Sequence, residues 1–140
     1  MFFYFFDDDG PEERVTEYSE ATFEDIKHVD EDGNEFWYAR ELQKVLEYKE
    51  WRNFSKVIEK AKEACEKAGN VEISHFVDAN KMINLAKGAI REVKDYFLSR
   101  YACYLTVQNA DPRKKMVALA QSYFAIQTRK QELSEEFPKL

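Results

Sequence analysis

The spacing of apolar and polar residues predicts two helices in the first half of the chain. Leu42, Val45 and Leu46 recur at helical spacing and predict a short helix over residues 39–47. A second apolar stripe predicts a longer helix over residues 51–68. The apolar positions of that stripe are Trp51, Phe54, Val57, Ile58, Ala61, Ala64, Cys65 and Ala68.

Shorter patterns around these helices predict β-structure. Residues 23–38 resemble a hairpin, because the turn between Asp30 and Asn34 supplies the Asp-Gly and Gly-Asn pairs that suit positive φ. Between residues 71 and 98 the alternation is weaker and predicts three short strands and one turn. The strands are expected near Val71–Ile73, Met82–Leu85 and Tyr96–Leu98, and the turn at Lys87–Ala89.

Two helices follow in the last third of the sequence. Ser99 is placed to cap a buried helix over residues 100–109, and Asp111-Pro112 marks a second helix running from about Pro112 to Leu133. The apolar positions of the last helix cover about 200° of its circumference, more than one buried face requires. Self-association is one explanation, and coverage by a following segment is another. The candidate partner-interface residues are Val117, Tyr123, Phe124, Ile126 and Leu133.

These elements together predict an α+β fold, a mostly helical single domain with a β-hairpin and a small sheet that ends in a long C-terminal helix. Residues 1–22 are predicted to form an acidic and aromatic N-terminal arm, because the run DDDGPEER combines like charges with Gly and Pro. The domain is therefore placed at residues 23–137. A chain of 140 residues is long enough for one domain with a core.

Charge is distributed unevenly along the chain. The formal net charge of −6 combines −11 in residues 1–35 with +5 in residues 36–140. A basic body is compatible with polyanion binding, and an ordinary solvated surface explains the same charge. No apolar run approaches the roughly 20 residues that span a bilayer. We therefore expect a cytoplasmic protein without a membrane partner.

Catalytic and metal-binding patterns are absent from the sequence. Cys65 and Cys103 are far apart and are expected to be reduced core residues. With two histidines, the chain offers no Cys/His metal-ligand spacing, and no metal or cofactor is expected. A phosphate-binding glycine loop, a nucleophile elbow and an HExxH motif are all missing. The sequence therefore predicts a protein that is not an enzyme.

A basic row on the second helix is a candidate polyanion site. Arg52, Lys56 and Lys60 lie at i, i+4 spacing, where like charges repel unless a phosphate backbone neutralises them. Glu59 and Glu63 follow two of these lysines by three residues. The alternative is therefore a solvated helix face held by salt bridges.

The start of the last helix is the second candidate. Arg113, Lys114 and Lys115 occupy the predicted first turn, where the helix dipole disfavours cations and favours a bound anion. The alternative is a short basic loop that faces solvent. Arg40 and Lys44 on the first helix are secondary candidates for nucleic-acid binding.

Three segments of the chain resemble the DNA-damage-inducible protein D family of bacteria, over about residues 23–133. They are LSRYACYLTVQNADPRKKMVALAQSYFAIQTRKQEL from Leu98, FWYARELQKVLEYKEWRNFSKVIEKAKEA from Phe36, and HFVDANKM from His75. The N-terminal part of that family resembles the BRO-N type of domain, found in viral and phage proteins that include antirepressor-like ones. Glu47 stands here where the usual LGY triplet has its glycine.

The resemblance implies a BRO-N-like domain and a non-enzymatic regulator of the DNA-damage (SOS) response. Its implied target is DNA, single-stranded more than double-stranded, or a recombinase filament on DNA. The alternative is a protein-interaction module of the phage-antirepressor type, without direct nucleic-acid contact. A second copy of the chain, in a homodimer, is a further candidate partner. Family members typically continue with a second segment of comparable length, so this chain is either a short relative or the first domain of a longer protein.

Overall fold

The structure is a computed structural model that describes the backbone of residues 22–136 and most side chains in that range. The described chain forms two compact units. One comprises residues 26–110, and the other combines residues 22–25 with residues 111–136. The predicted N-terminal arm lies outside the described residues except for Thr22. The predicted domain boundaries therefore stay a prediction.

The unit of residues 26–110 contains a four-stranded antiparallel sheet in the order β1-β2-β4-β3. Its strands are β1 (His28–Val29), β2 (Glu35–Tyr38), β3 (Phe76–Asn84) and β4 (Ile90–Leu98). The predicted first hairpin is confirmed but is shorter, since residues 22–25 are helical. In its turn the Asp30 carboxylate accepts the N–H groups of Asp32 and Asn34, and Gly33 takes a φ of 84°.

The hairpin of β3 and β4 corrects the prediction of short strands between residues 71 and 98. Each strand has nine residues, and the register runs from Phe76 opposite Leu98 to Asn84 opposite Ile90. Strand β2 pairs with β4 only near Leu98, so the far end of the hairpin is a two-stranded ribbon. Most side chains there are exposed on both faces, which removes the alternation that identifies a strand in sequence.

Four helices belong to the same unit, and the three predicted ones are confirmed to within two residues at each end. They are α1 (Ala39–Val45), α2 (Trp51–Lys67), α3 (Glu72–His75) and α4 (Arg100–Gln108). Helix α2 packs on α4, and α4 packs on β2 and β4. Ser99 caps α4 as predicted, its hydroxyl accepting the N–H of Ala102. The buried core includes Trp37, Phe54, Ile58, Cys65, Tyr96, Leu98 and Cys103.

The second unit contains α5 (Lys115–Glu136), which begins three residues later than predicted. The Asp111 side chain accepts the N–H of Arg113, and its carbonyl accepts the N–H of Lys114, so residues 111–114 form a turn. Within this unit the Phe23 ring lies 5.5 Å from the ring of Phe124, between centroids. Part of the wide apolar arc of α5 is thus covered by the same chain.

The architecture confirms the predicted mixed α+β class, with a small antiparallel sheet and a long last helix. Both cysteines are buried and neither forms a disulfide, as expected of core residues. Complete desolvation raises the pKa of the Cys103 thiol well above its ordinary value. Across the described residues, no helix is both long and apolar enough to cross a bilayer.

Candidate nucleic-acid interface

The basic residues predicted to open the last helix are divided by the structure. Arg113 binds the Asp111 carboxylate through Nε and Nη2, at 3.0 and 2.9 Å. The hydrogen bond from Arg113 lowers the pKa of Asp111, so the carboxylate stays charged and balances the guanidinium. Lys115 alone of the three lies inside the helix. The predicted cluster of three cations on a helix N-terminus is therefore reduced.

The predicted row on α2 is present and faces solvent. Arg52, Lys56 and Lys60 are all exposed, and none forms an ion pair within the part of the chain that the structure describes. Glu59 instead lies 3.6 Å from Lys62, on the neighbouring face of the helix. The alternative of a salt-bridged face is thus not seen at Lys56. Lys44 on α1 is also exposed.

Arg40 is held in a single position by three contacts. Its Nε donates to the carbonyl of Lys94 at 2.6 Å, and its guanidinium carbon lies 4.2 Å from the centroid of the Trp51 ring. Its backbone N–H donates to the Asp95 carboxylate. Partial burial lowers the pKa of Arg40, but a guanidinium keeps its proton at neutral pH. The cation is therefore fixed at the junction of α1 and β4.

Two lysines from different elements meet at one tyrosine ring. The Lys62 ammonium lies 4.8 Å from the centroid of the Tyr96 ring, and the Lys94 ammonium lies 5.1 Å from it. Trp51 lies beside the same ring, with centroids 6.4 Å apart. A hydrogen bond to Tyr96 raises the pKa of Lys94, which keeps it charged. We call Arg40, Lys62 and Lys94 the basic cluster.

A buried carboxylate lies beneath this cluster. Asp95 is fully buried, and its Oδ1 accepts the N–H groups of Arg40 and Tyr96 at 3.0 and 2.8 Å. Its Oδ2 makes no hydrogen bond to any described residue. Burial raises the pKa of Asp95, against the opposing effect of these N–H groups and of Lys81 and Arg40. Asp95 thus fixes the backbone that carries Arg40.

Sequence reasoning named Arg40 but missed Lys62 and Lys94. Neither lysine stands in a basic run, and they are 32 positions apart in the chain. Their proximity depends on Lys62 of α2 and Lys94 of β4 meeting at the Tyr96 ring, which is a tertiary contact. The local signal that existed is the spacing of Lys94 and Tyr96 on one face of a strand.

The candidate partner-interface residues on α5 differ in exposure. Val117, Tyr123 and Phe124 are buried within the chain. Ile126 and Leu133 are half-buried. A partner surface on this helix therefore rests on the last two residues, and its use stays a prediction.

A second surface feature is an aromatic groove of about 690 Å³ on the sheet face opposite Trp37. Three rings form one wall: Phe36 and Tyr38 each lie close to Phe97, at centroid distances of 5.1 and 5.3 Å. The strand alternation that buries Trp37 turns these rings outward. All three are half-buried, so the groove presents aromatic surface.

The rim of this aromatic groove is acidic. Asp30, Glu31, Asp32 and Glu35 all line it. Glu35 is balanced by Arg100, whose Nε and Nη2 donate to its carboxylate at 2.8 and 3.0 Å and lower its pKa. The Asp30 carboxylate accepts two N–H groups of the turn between β1 and β2. Glu31 and Asp32 are exposed and leave the groove unsuited to a phosphate backbone.

Comparison with known proteins assigns the part of the chain that carries the basic cluster and the aromatic groove to one family. The model of the BRO family N-terminal domain matches residues 25–125. DNA damage-inducible protein D of Escherichia coli (strain K12) is 50% identical over 114 residues, which cover 81% of this chain and 42% of that protein. The predicted resemblance is therefore confirmed. The chain spans about two fifths of the length of this curated relative, and no solved structure matches it.

Proposed function

This chain belongs to the BRO family, because residues 25–125 match that family's N-terminal domain. We propose that it is a non-enzymatic regulator of the DNA-damage response that binds DNA. The similarity to a DNA damage-inducible protein supports the cellular setting. The observation that carries the binding proposal is the basic cluster, in which Arg40, Lys62 and Lys94 surround Trp51 and Tyr96.

The geometry of the basic cluster suits phosphate groups. A cation over an aromatic ring is held in place, so less side-chain entropy is lost when it binds an anion. Lys62 and Lys94 contact one ring, and Glu59, 3.6 Å from Lys62, balances only one of these two charges. A phosphate between the lysines would balance the other. The exposed row of Arg52, Lys56 and Lys60 extends the positive surface along α2.

The target that we propose is DNA alone or a recombinase filament on single-stranded DNA. The rings of Trp51 and Tyr96 contact the cations of the basic cluster and each other. We therefore expect them to position the cations for phosphate contacts rather than to stack on bases. Phosphates are present in single and double strands alike. A preference for single strands stays a prediction, and both forms belong in the test.

The test is the affinity for single- and double-stranded oligonucleotides over a salt series. Phosphate contacts make affinity fall steeply with salt, with a slope of about 0.7 per contact on single strands and 0.9 on duplexes. Replacing Lys62 and Lys94 together by Gln is expected to weaken binding. The salt slope should fall by about 1.4 on single strands and about 1.8 on duplexes, the amount that two phosphate contacts contribute. The fold is checked by circular dichroism.

Two further variants locate the contact. Lys114 and Lys115 reversed to Glu test the helix start. Lys49 and Lys87 are exposed and lie outside the basic cluster and the α2 row, so their reversal to Glu serves as the charge-matched control. If the salt slope changes only in the Lys114 and Lys115 variant, the DNA contact lies in the second unit and not at the basic cluster. Absence of binding at low salt, even after removal of residues 1–22, contradicts direct DNA recognition.

The second candidate function is a protein-interaction module of the phage-antirepressor type. The aromatic groove favours it, because its half-buried rings and acidic rim suit an apolar and basic protein segment. Recombinase-coated single-stranded DNA is the ligand that separates the two candidates. Binding to the coated filament but not to bare DNA supports the protein-directed function.

A further inference from the structure

The exposed apolar side chains of the chain concentrate in two places. Six large apolar side chains are exposed among those that the structure describes, and five of them lie in these two places. Val29 and Val77 line the aromatic groove. Three more lie at the far end of the β3–β4 hairpin, within residues 80–91, which we call the hairpin tip. They are Met82, Leu85 and Ile90, with exposed fractions of 61%, 42% and 62%.

The two places also carry opposite charge. The hairpin tip contains Lys81, Lys87 and Arg91, and its one acidic neighbour in the register is Glu92, opposite Met82. The rim of the aromatic groove presents Glu31 and Asp32, which are exposed and form no ion pair with any described residue. The tip therefore offers apolar and basic groups, and the groove offers aromatic and acidic ones.

The tip of one chain cannot reach the groove of the same chain. The groove includes Val77 and Phe97, which are paired in the register. The outermost strand pair of the tip, Asn84 and Ile90, lies seven residues further along the strands. At about 3.3 Å per residue the separation is roughly 23 Å along one continuous ribbon. Contact between the two surfaces therefore requires a second copy.

We propose that the hairpin tip of one copy docks in the aromatic groove of a second copy, and that the second copy returns the same contact. The tip–groove contact is then made twice, once in each direction, and gives a closed two-fold dimer. Apolar residues of the tip cover the aromatic wall, and Lys87 and Arg91 meet Glu31 and Asp32 of the other copy. This dimer is independent of the DNA contact proposed above.

The N-terminal segment of residues 1–21 is also rich in aromatic residues, but its charge matches the groove poorly. Residues 1–21 contain Phe2, Phe3, Phe5 and Phe6, but also seven acidic residues against one arginine. Their charge has the sign of the rim, so Glu31 and Asp32 would repel them. The tip has the opposite sign, which is why a second copy is the occupant that we infer.

The experiment measures mass by light scattering and the dissociation constant by analytical ultracentrifugation, on the full chain. Wild type is expected to reach twice the chain mass. A tip variant, with Lys87 and Arg91 reversed to Glu, and a rim variant, with Glu31 and Asp32 reversed to Lys, each place like charges in both contacts. We expect each to dissociate about a hundredfold more readily.

Mixing the two variants gives the decisive result. In a mixed pair, the acidic tip meets the basic rim, and the unchanged basic tip meets the unchanged acidic rim. Both contacts are then complementary, so the mixture is expected to recover a dimer of near wild-type affinity. Recovery also shows that both variants are folded.

A control and two contrary outcomes complete the test. Reversal of Lys49 and Lys67 to Glu makes the same charge change outside both surfaces and is expected to leave the dimer intact. A wild-type chain that stays monomeric at its highest soluble concentration overturns the proposal. A dimer that survives both variants, or variants that fail to pair when mixed, overturns it as well.

Discussion

At the residue scale, Glu47 has an unusual backbone conformation. Its φ of 63° lies in the left-handed region that favours glycine. Its N–H donates to the carbonyl of Lys44, and the N–H of Tyr48 donates to the carbonyl of Gln43. Gly69 ends α2 with the same pair of hydrogen bonds. The turn that follows α1 requires a positive φ at residue 47, which explains why the usual LGY triplet has a glycine where this chain has Glu47.

We expect Glu47→Gly to be more stable than Glu47→Ala by about 1 kcal/mol, because only glycine adopts a positive φ without strain. Comparing these two variants removes any effect of the glutamate side chain itself. The measurement is the free energy of unfolding in urea. Glu63→Gly in the middle of α2 is the control, and it is expected to lose about 1 kcal/mol. An alanine variant as stable as the glycine variant would contradict the argument.

At the element scale, α1 depends on a side chain from a distant strand. The helix has seven residues, and its N-cap residue, Tyr38, makes no side-chain hydrogen bond to it. The Asp95 carboxylate on β4 supplies the missing acceptor for the N–H of Arg40. A negative group at a helix N-terminus also interacts favourably with the helix dipole. Asp95 thus joins α1 to the sheet at the cost of a buried charge.

The burial of Asp95 predicts a specific dependence of stability on pH. Because the folded-state pKa is raised, Asp95 contributes stability that is present below about pH 4 and is lost as pH rises through that raised value. Asp95→Asn lacks this titration. The difference in unfolding free energy between wild type and the variant is therefore expected to fall as the pH rises above about 4.

Urea unfolding of both proteins across that pH range checks the prediction. Other carboxylates titrate equally in the two proteins, so the difference between the unfolding free energies isolates Asp95. Asp95→Ala removes the carboxylate that accepts the N–H groups of Arg40 and Tyr96 and is expected to cost about 1–3 kcal/mol at every pH. A difference between wild type and Asp95→Asn that is constant or grows with pH would show that burial does not set the charge state of Asp95.

The elements were predictable from sequence where their signals are local. The apolar stripe of α2, the cap of α4 at Ser99 and the turn around Gly33 depend on neighbouring residues, and the structure confirms them. The β3–β4 hairpin was not predictable in length, since its far end is exposed on both faces. The cap of α1 by Asp95 joins residues 55 positions apart, which no local pattern can indicate.

At the scale of the whole molecule, opposite charges are separated along the sequence. Residues 1–35 have a formal net charge of −11, and residues 36–140 have one of +5. The rim residues Glu31 and Asp32 belong to the acidic stretch, and the basic cluster belongs to the remainder. Since long-range fields act on approaching polyanions, we expect the acidic stretch to oppose the DNA binding that we propose for the basic cluster.

Removing residues 1–21 is therefore expected to strengthen DNA binding, by about tenfold at low salt. The gain should vanish as salt rises, because the Debye length falls from about 10 Å at 0.1 M to about 3 Å at 1 M. A companion variant keeps the segment but replaces its seven acids by Asn or Gln. Affinities for a single-stranded oligonucleotide, measured across the salt series, compare both variants with wild type.

The pair of variants distinguishes charge from physical obstruction. If the acids act through their field, the neutralised chain gains as much affinity as the shortened one. A gain in the shortened chain alone would mean that the segment blocks the surface irrespective of its charge. Unchanged or weaker binding in both variants would rule out electrostatic masking, and the net charge of residues 36–140 would then set the affinity by itself.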